Sequence, residues 1–337
     1  MPRLLRPGKL PPPLLVRLLR LRGAPDRRVV VGARCGEDAA VVALGRLRLV
    51  LKSDPVTFTA REVGWYAVQV NANDVAVMGA RPCWFQPTIL LPPGTPAARA
   101  HGIMREIDAA CRALDIAVTG GHTEVTDAVT RPIVAGDMQG LLVGPRIVGA
   151  AGARAGDLVL MTKAAGLEGT AILATERADA LARRLPGSVV RAARGFRRRP
   201  GISVVRDASI AAALGASAMH DPTEGGVRAA LHEIASASSH RLAIDLDRVP
   251  ILPQTAQLCR HFGIDPLGLI GSGALLATIR PGRAKLLLET WKRRGIDAAV
   301  IGRVERGRGV RALRRGRRVR FPWVAQDEIV KALRSRT

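Results

Sequence analysis

Four aspartates draw attention first, because each ends or interrupts an apolar element and has small or hydroxyl residues beside it. They are Asp38 before Ala39 and Ala40, Asp54 after Ser53, Asp74 after Asn71 and Asn73, and Asp221 two residues before Thr223. Oxygen donors of this kind suit Mg²⁺, which takes a few carboxylates and keeps positions for water and phosphate oxygens. Four such acids in one place would repel one another without cations. With Mg²⁺ and a nucleotide among them they would stabilise a transferring phosphoryl group. Spacing alone does not show that they converge.

The elements that must position these acids can be read from periodicity. Val63, Tyr66, Val70 and Val77 follow the spacing of a helix with one buried stripe, stopped at Gly79. Ala67, Asn71, Asp74 and Met78 form the neighbouring stripe, so Asn71 and Asp74 point the same way. An ionised Asp beside a packed face costs roughly several kcal/mol unless something pairs with it. A metal ion would be one partner; a solvated or capped place at the edge of the stripe is the other reading.

Strand-type runs at 29–31, 41–44 and 47–51 put Asp38 and Asp54 at strand ends, and further strands are expected at 84–91 and 133–143. A long amphipathic helix is expected over 96–114. Ala117 to Thr119 then leads into a polar loop, Gly120-Gly121-His122-Thr123-Glu124. In the second half, strands at 158–162, 242–246, 273–279 and 298–304 and helices at 203–214, 227–237 and 284–294 make another α/β unit. Gly225 and Gly226 open the helix at 227, where first-turn N–H groups would be free for an anion, although a Gly-Gly pair is equally an ordinary turn. The expected division is an N-terminal extension at 1–28, domains at 29–150 and 151–306 joined near 149–156, and an Arg-rich tail at 307–337.

Composition narrows the classes. With 337 residues, 47% of them hydrophobic, the chain can build packed cores for about two domains. No apolar run approaches the roughly 18 to 20 residues that span a bilayer. Nor does PPPLLVRLLRLRG near the N-terminus have the uninterrupted apolar core of a signal peptide, so the cytoplasm is the expected location. Cys35, Cys83, Cys111 and Cys259 are scattered without a CxxC pair, and free thiols are expected. The net charge of +24 is carried mostly by arginine, with clusters at 183–199 and 303–320. Only 3% of residues are aromatic, which gives no stacking platform for single strands, so the reading is a solvated basic surface with polyanion binding as the alternative.

Standard signatures are missing. There is no GxxxxGK[ST], no GxGxxG after a strand, no GxSxG and no HExxH; His232-Glu233 is followed by Ser236 and is read as a helix-surface histidine.

The order of segments nevertheless resembles a known group. GEDAAVV (36–42), KSDPVTF (52–58), NANDVAVMGARP (71–82), TGGHTEVT (119–126), GLEGTAILATE (166–176), DPTEGGVRAALHEIA (221–235), DPLGLIGSGALLAT (265–278) and AVIGRVERG (299–307) together resemble the aminoimidazole-ribonucleotide (AIR) synthase-like, or PurM-like, superfamily. DPTEGG looks like the DPTxGG of its HypE-like branch rather than the DxSDG of thiamine-monophosphate kinase or the DxTGGG of AIR synthase. The resemblance implies an α+β chain of two α/β domains, the N-terminal one dimerising through its strands, with ATP in a cleft between them. It implies that Asp38, Asp54, Asp74 and Asp221 bind Mg²⁺ or ATP phosphates, with Asp74 and Asp221 as catalytic residues. Ser53, Asn71, Gly120, Gly121, Thr123, Glu124, Gly225 and Gly226 would surround the nucleotide.

Three departures bear on this. Relatives of the HypE-like branch carry a C-terminal cysteine that accepts a carbamoyl group, whereas no Cys follows Cys259, so conversion of a thiocarboxamide to a thiocyanate on the chain's own tail is not expected. His122 stands where relatives have Asp or Glu, with Glu124 as a substitute. No Cys-Lys pair like that of selenophosphate synthetase is visible, and Cys35 is read as a spectator. The expected function is ATP- and Mg²⁺-dependent activation of a small amide-type or nucleophilic substrate by a homodimer, with a maturation-type protein partner. The alternatives are a catalytically altered scaffold that binds through its basic surface, and a phosphotransferase like thiamine-monophosphate kinase.

Overall fold

A computed structural model describes residue 5, residues 7–324 and residues 326–335. The chain divides into two compact units, one made of residues 26–32 and 38–147 and the other of residues 1–25, 33–37 and 148–337. Both combine a mixed sheet with helices, and the fold class is α+β. The helix α1 (Pro12–Leu18) comes first in the chain and belongs to the second unit.

The N-terminal unit contains β1 (Val29–Val31), β2 (Ala40–Leu44), β3 (Leu47–Val56), α2 (Val63–Val77), β4 (Ala80–Leu91), α3 (Ala97–Ala113), β5 (Ala117–Val118), β6 (His122–Val125) and β7 (Ile133–Leu142). Its sheet runs β1-β2-β3-β7-β4, and β5 and β6 both lie parallel to β4 along its outer edge. Asp54 is inside β3 rather than at its end. The strand continues because β7 accompanies it as far as the Val56–Val134 pair, whereas β2 leaves it after Leu51. Beyond Leu51 the strand has one neighbour, and there the N–H that Pro55 lacks costs little.

Helix α2 corrects the one-stripe expectation: 63, 64, 66–69 and 71–77 are all buried. The helix lies between the sheet and α3, so both of its sides are packed. Close approach depends on glycines. A Cβ at Gly136 would stand 2.5 Å from Asn71 Nδ2, one at Gly140 would stand 2.4 Å from Val75, and one at Gly64 would stand 2.6 Å from the Ile103 carbonyl of α3.

The C-terminal unit adds β8 (Leu158–Thr162), α4 (Leu167–Glu176), α5 (Ala178–Ala182), α6 (Gly187–Gly195), α7 (Val205–Ala213), β9 (Ala218–His220), α8 (Gly226–Ser238), β10 (Arg241–Asp245), α9 (Pro253–Phe262), β11 (Leu276–Ile279), α10 (Pro281–Arg293), β12 (Ala298–Glu305), β13 (Gly309–Arg314), β14 (Arg317–Val319) and α11 (Glu328–Arg334). Its sheet order is β14-β13-β10-β12-β8-β11-β9. The segment expected to be a basic tail therefore supplies two strands. Val310, Ala312 and Val319 turn inward onto the core of this unit while the arginines between them face out. That period-two pattern was hidden by the density of arginine. The N-terminal segment is tied to the same unit, through an ion pair of Lys9 with Glu233 (2.9 Å) and a hydrogen bond from Gln326 to the Pro7 carbonyl (3.1 Å).

Candidate functional site

Three of the four aspartates belong to the N-terminal unit, and the fold places them around a residue not singled out from the sequence, Lys52. Lys52 and Asp54 sit two apart on β3 and so share a face, the one turned toward α2. The Lys52 ammonium lies 3.1 Å from Asp74 and 3.4 Å from Asp54. Asp38 and Asp74 offer carboxylate oxygens within 4.8 Å of each other. Asp74 is 1% exposed. Burial pushes its carboxyl up, Lys52 pulls it down, and Asp54 and Asp38 push it up again, leaving it at about 7. Burial would depress the Lys52 ammonium, but the carboxylates of Asp74, Asp54 and Asp38 outweigh it and raise the group above its ordinary range.

Asn71, one turn before Asp74, is fully buried. Its amide nitrogen donates to the carbonyls of Ala67 (2.8 Å) and Asp54 (3.1 Å), which fixes the side chain and ties α2 to β3. Its Oδ1 accepts no hydrogen bond. A buried acceptor left in this way costs about 1–3 kcal/mol unless water or an ion meets it. The carboxylates of Asp38, Asp54 and Asp74 gather negative charge around the Lys52 ammonium. Carboxylate oxygen donors and an unsatisfied amide oxygen together fit a hydrated Mg²⁺ ion.

Not every expected residue joins this group. Strand alternation turns Ser53 to the opposite face of β3, where its register partner is Asp137. The polar loop expected at 122–124 is the edge strand β6. His122 pairs in register with Thr88, and Glu124 with Leu90, so both lie on the face that carries Ser53, while Thr123 faces the other way with Ile89. His122 and Glu124 interact with each other at 3.2 Å and are exposed. Neither completes the Asp74 cluster. Gly120 and Gly121 separate β5 from β6 at φ of +152° and +138°, and a Cβ at Gly121 would fall 2.3 Å from the Pro87 carbonyl. Their role in the fold is a sharp step between two short strands that both follow β4.

The fourth aspartate, Asp221, is fully buried in the C-terminal unit, directly after β9. The preceding His220 shares a hydrogen bond of 2.9 Å with Glu233 of α8, whose other oxygen takes the Lys9 ammonium. Burial would push the Glu233 carboxyl up, but Lys9 and His220 hold it well below the usual range. Cys35 lies in the same neighbourhood, where burial and the Glu233 charge push its thiol up and keep it protonated. His232 is not a surface histidine as expected: its Nε2 meets the Phe321 carbonyl at 2.8 Å and its ring stacks on Phe321.

The glycine pair at the start of α8 also differs from expectation. Gly225 donates its N–H to the Asp327 carboxylate at 2.5 Å, and Gly226 donates to the Thr223 carbonyl at 2.9 Å. Neither donor is open to a nucleotide phosphate. The glycines are required by conformation, with φ of +84° and +59°, and by space, since a Cβ at Gly226 would stand 2.5 Å from the Leu269 carbonyl.

Comparison with known proteins agrees with this architecture. Residues 36–142 match the model of the AIR synthase related protein N-terminal domain, and residues 154–314 match that of its C-terminal domain. The chain belongs to the AIR synthase-related family. Within the family, it is 31% identical over 285 residues to carbamoyl dehydratase HypE of Rhodobacter capsulatus, covering 83% of this chain and 80% of that one. A chain of a HypE–HypF complex superposes with a TM-score of 0.75 at 23% identity, covering 91% of this chain and 99% of that one. Hydrogenase maturation protein HypE in complex with ATP superposes with a TM-score of 0.73 at 23% identity, covering 87% and 90%. With relatives of this kind along four fifths of its length, this member of the AIR synthase-related family lies on the HypE-like branch and is an enzyme.

Two residues of this AIR synthase-related chain escaped the sequence reading, Lys52 and Asp327. A signal for the first was present. Basic positions here are overwhelmingly arginine, and Lys9, Lys52 and Lys163 each make an ion pair with a carboxylate at 3.1 Å or less. At these three places a lysine among arginines supplies a compact ammonium rather than a guanidinium fork. Asp327 has no comparable signal, because its partners are backbone groups distant in sequence.

Proposed function

We propose that this chain binds ATP together with Mg²⁺ and uses the nucleotide to activate an amide-type oxygen or a small nucleophile by phosphoryl transfer, as a HypE-like enzyme. The observation that carries the proposal is the set of three carboxylates, Asp38, Asp54 and Asp74, around the Lys52 ammonium. In this reading those three acids hold Mg²⁺ and Asn71 directs its Oδ1 to the ion's hydration shell. Asp221, in the C-terminal unit, is read as a further carboxylate ligand of Mg-ATP. Mg²⁺, when bound, neutralises charge on the phosphate oxygens. Lys52 keeps the acids from repelling one another and presents its remaining donors to phosphate. The ATP complex of a structural relative and the enzyme name of the Rhodobacter capsulatus relative support the reading.

A second copy of the chain is the proposed partner of the N-terminal sheet. Val29, Leu44 and Leu47 are exposed on this sheet, and Leu49, Leu51 and Leu141 are only partly covered on the face turned away from α2. The HypE–HypF complex supports a further, maturation-type protein partner for this branch.

Calorimetry with and without Mg²⁺ tests the central claim. Mg-ATP should bind the parent, and Asp74→Asn and Asp221→Asn should each weaken that binding at least tenfold. If both variants bind Mg-ATP as well as the parent, the site assignment is wrong. A kinase-type reaction would instead deliver the γ-phosphate to a monophosphate acceptor, and a diphosphate product would reveal it.

A further inference from the structure

Three segments distant in sequence meet behind Asp221. The turn 221–226 and the loop 267–273 interlock: Gly271 donates its N–H to the Pro222 carbonyl at 3.1 Å, and Gly226 packs so tightly on the Leu267 and Leu269 carbonyls that no side chain fits. Into this junction the C-terminal segment sends Asp327, which is 1% exposed. One of its oxygens accepts from Gly225 N (2.5 Å); the other accepts from Ile270 N (3.1 Å) and from Ile329 N (2.8 Å) at the start of α11. A single carboxylate therefore satisfies donors of both loops and caps the helix that delivers it. Behind it Glu328 seats against Gly268, where a Cβ would come within 3.0 Å of its side chain.

We infer that Asp327 is a positioning residue for the nucleotide site: by holding the amides of Gly225 and Ile270 it fixes the turn that carries Asp221. The inference rests on the reading of Asp221 as a Mg-ATP ligand. Asp221 is followed at once by Pro222, whose φ is locked and whose carbonyl is held by Gly271, so a shift of Gly225 or Ile270 has little slack to absorb it before Asp221 moves. Ionised, a carboxylate suits this place because it then accepts at both oxygens. An amide in the same position would turn a donor toward one of the two loops.

The test uses the full chain and Mg-ATP as probe. Asp327→Asn keeps the shape, retains the bonds to Ile270 and Ile329 and loses the one to Gly225. It should fold, exchange the amide hydrogens of 221–226 faster than the parent, bind Mg-ATP at least tenfold more weakly, and require a higher Mg²⁺ concentration for half-saturation. Glu328→Gln, which alters the neighbouring side chain without touching either loop's amides, should match the parent in all three measurements. Parent-like Mg-ATP affinity in Asp327→Asn would overturn the inference, as would equal losses in Asp327→Asn and Glu328→Gln. If Asp327→Asn does not fold, amide exchange on the parent decides: fast exchange at Gly225 and Ile270 would show that the tie does not hold. Failure of the parent itself to bind Mg-ATP would overturn the reading of Asp221, whatever the variants do.

Discussion

Asp74 in the N-terminal unit and Asp327 in the C-terminal unit are both 1% exposed, and burial pushes both carboxyls up to about 7. What opposes burial differs. At Asp74 it is the Lys52 ammonium, with two further carboxylates working the other way. At Asp327 it is the amides of Ile329, Gly225 and Ile270, with Glu224 adding a small push upward. An ammonium on a flexible stem can be displaced or joined by a dication, and the surplus of acids invites one. Backbone amides can do neither. The first carboxylate is suited to exchange partners, the second to hold a shape.

The comparison is broken or sharpened most strongly by removing Lys52. Lys52→Met leaves Asp74 buried beside two other acids without its counter-ion, which costs about 3–5 kcal/mol for a buried pair. Asp54 is partly exposed, so the cost falls mainly on Asp74. Urea unfolding should show the loss, and the double variant Lys52→Met with Asp74→Asn should recover most of it. Millimolar Mg²⁺ should stabilise Lys52→Met more than the parent, because an ion bound by the folded state alone adds stability by mass action. A Lys52→Met chain indifferent to Mg²⁺ would show that these acids do not hold the ion.

Asp327→Ala should cost less, about 3 kcal/mol, as buried amides lose their acceptor. Mg²⁺ should restore none of it. Recovery by Mg²⁺ in this variant as in Lys52→Met would erase the distinction between the two carboxylates.

These two sites were unequally legible in the sequence. Asp74 and Asn71 could be found because helix periodicity puts them on one side, and Asp54 because it ends a readable run, although β3 continues past it. The one-stripe reading of α2 failed because a helix covered on two sides has no polar face to set the period. What made the second cover possible was glycine on β7, a residue that carries no hydrophobic signal. Ser53 stood next to Asp54 in sequence and Glu124 came in through the family resemblance; the strand period of two puts both on the face turned away from α2. For the glycines at 225 and 226 the sequence left both an anion site and an ordinary turn open, because first-turn donors are free by default. The carboxylate that takes the Gly225 donor comes from a residue about a hundred positions later, beyond the reach of local pattern.

A smaller effect tests the two-sided packing that brings Asn71 to β3. Gly136→Ala would place a methyl 2.5 Å from both Asn71 Nδ2 and the Phe85 ring. Overpacking of this kind costs about 1–3 kcal/mol. Because Asn71 moves with it, Mg-ATP affinity should fall as well, whereas Gly282→Ala, with open space around its Cβ, should leave affinity unchanged.

Per pH unit, the smallest effect is a slope. The Asp327 carboxyl lies at about 7 in the folded chain, above the ordinary value of 3.8 for a free side chain. The folded state therefore holds this proton more tightly than the unfolded one, so the contribution is fully present below about pH 4 and is lost as pH rises through about 7. Asp327→Asn removes the titration and leaves Asp74 in place, so the stability of the parent minus that of the variant isolates Asp327. That difference should decline between pH 4 and pH 7, by no more than about 1.4 kcal/mol per pH unit. A difference that rises over the same interval would mean that the three amides outweigh burial and keep the carboxylate ionised. Asp327 would then stand further from Asp74 than burial alone allows, as a permanently charged tie in a dry junction.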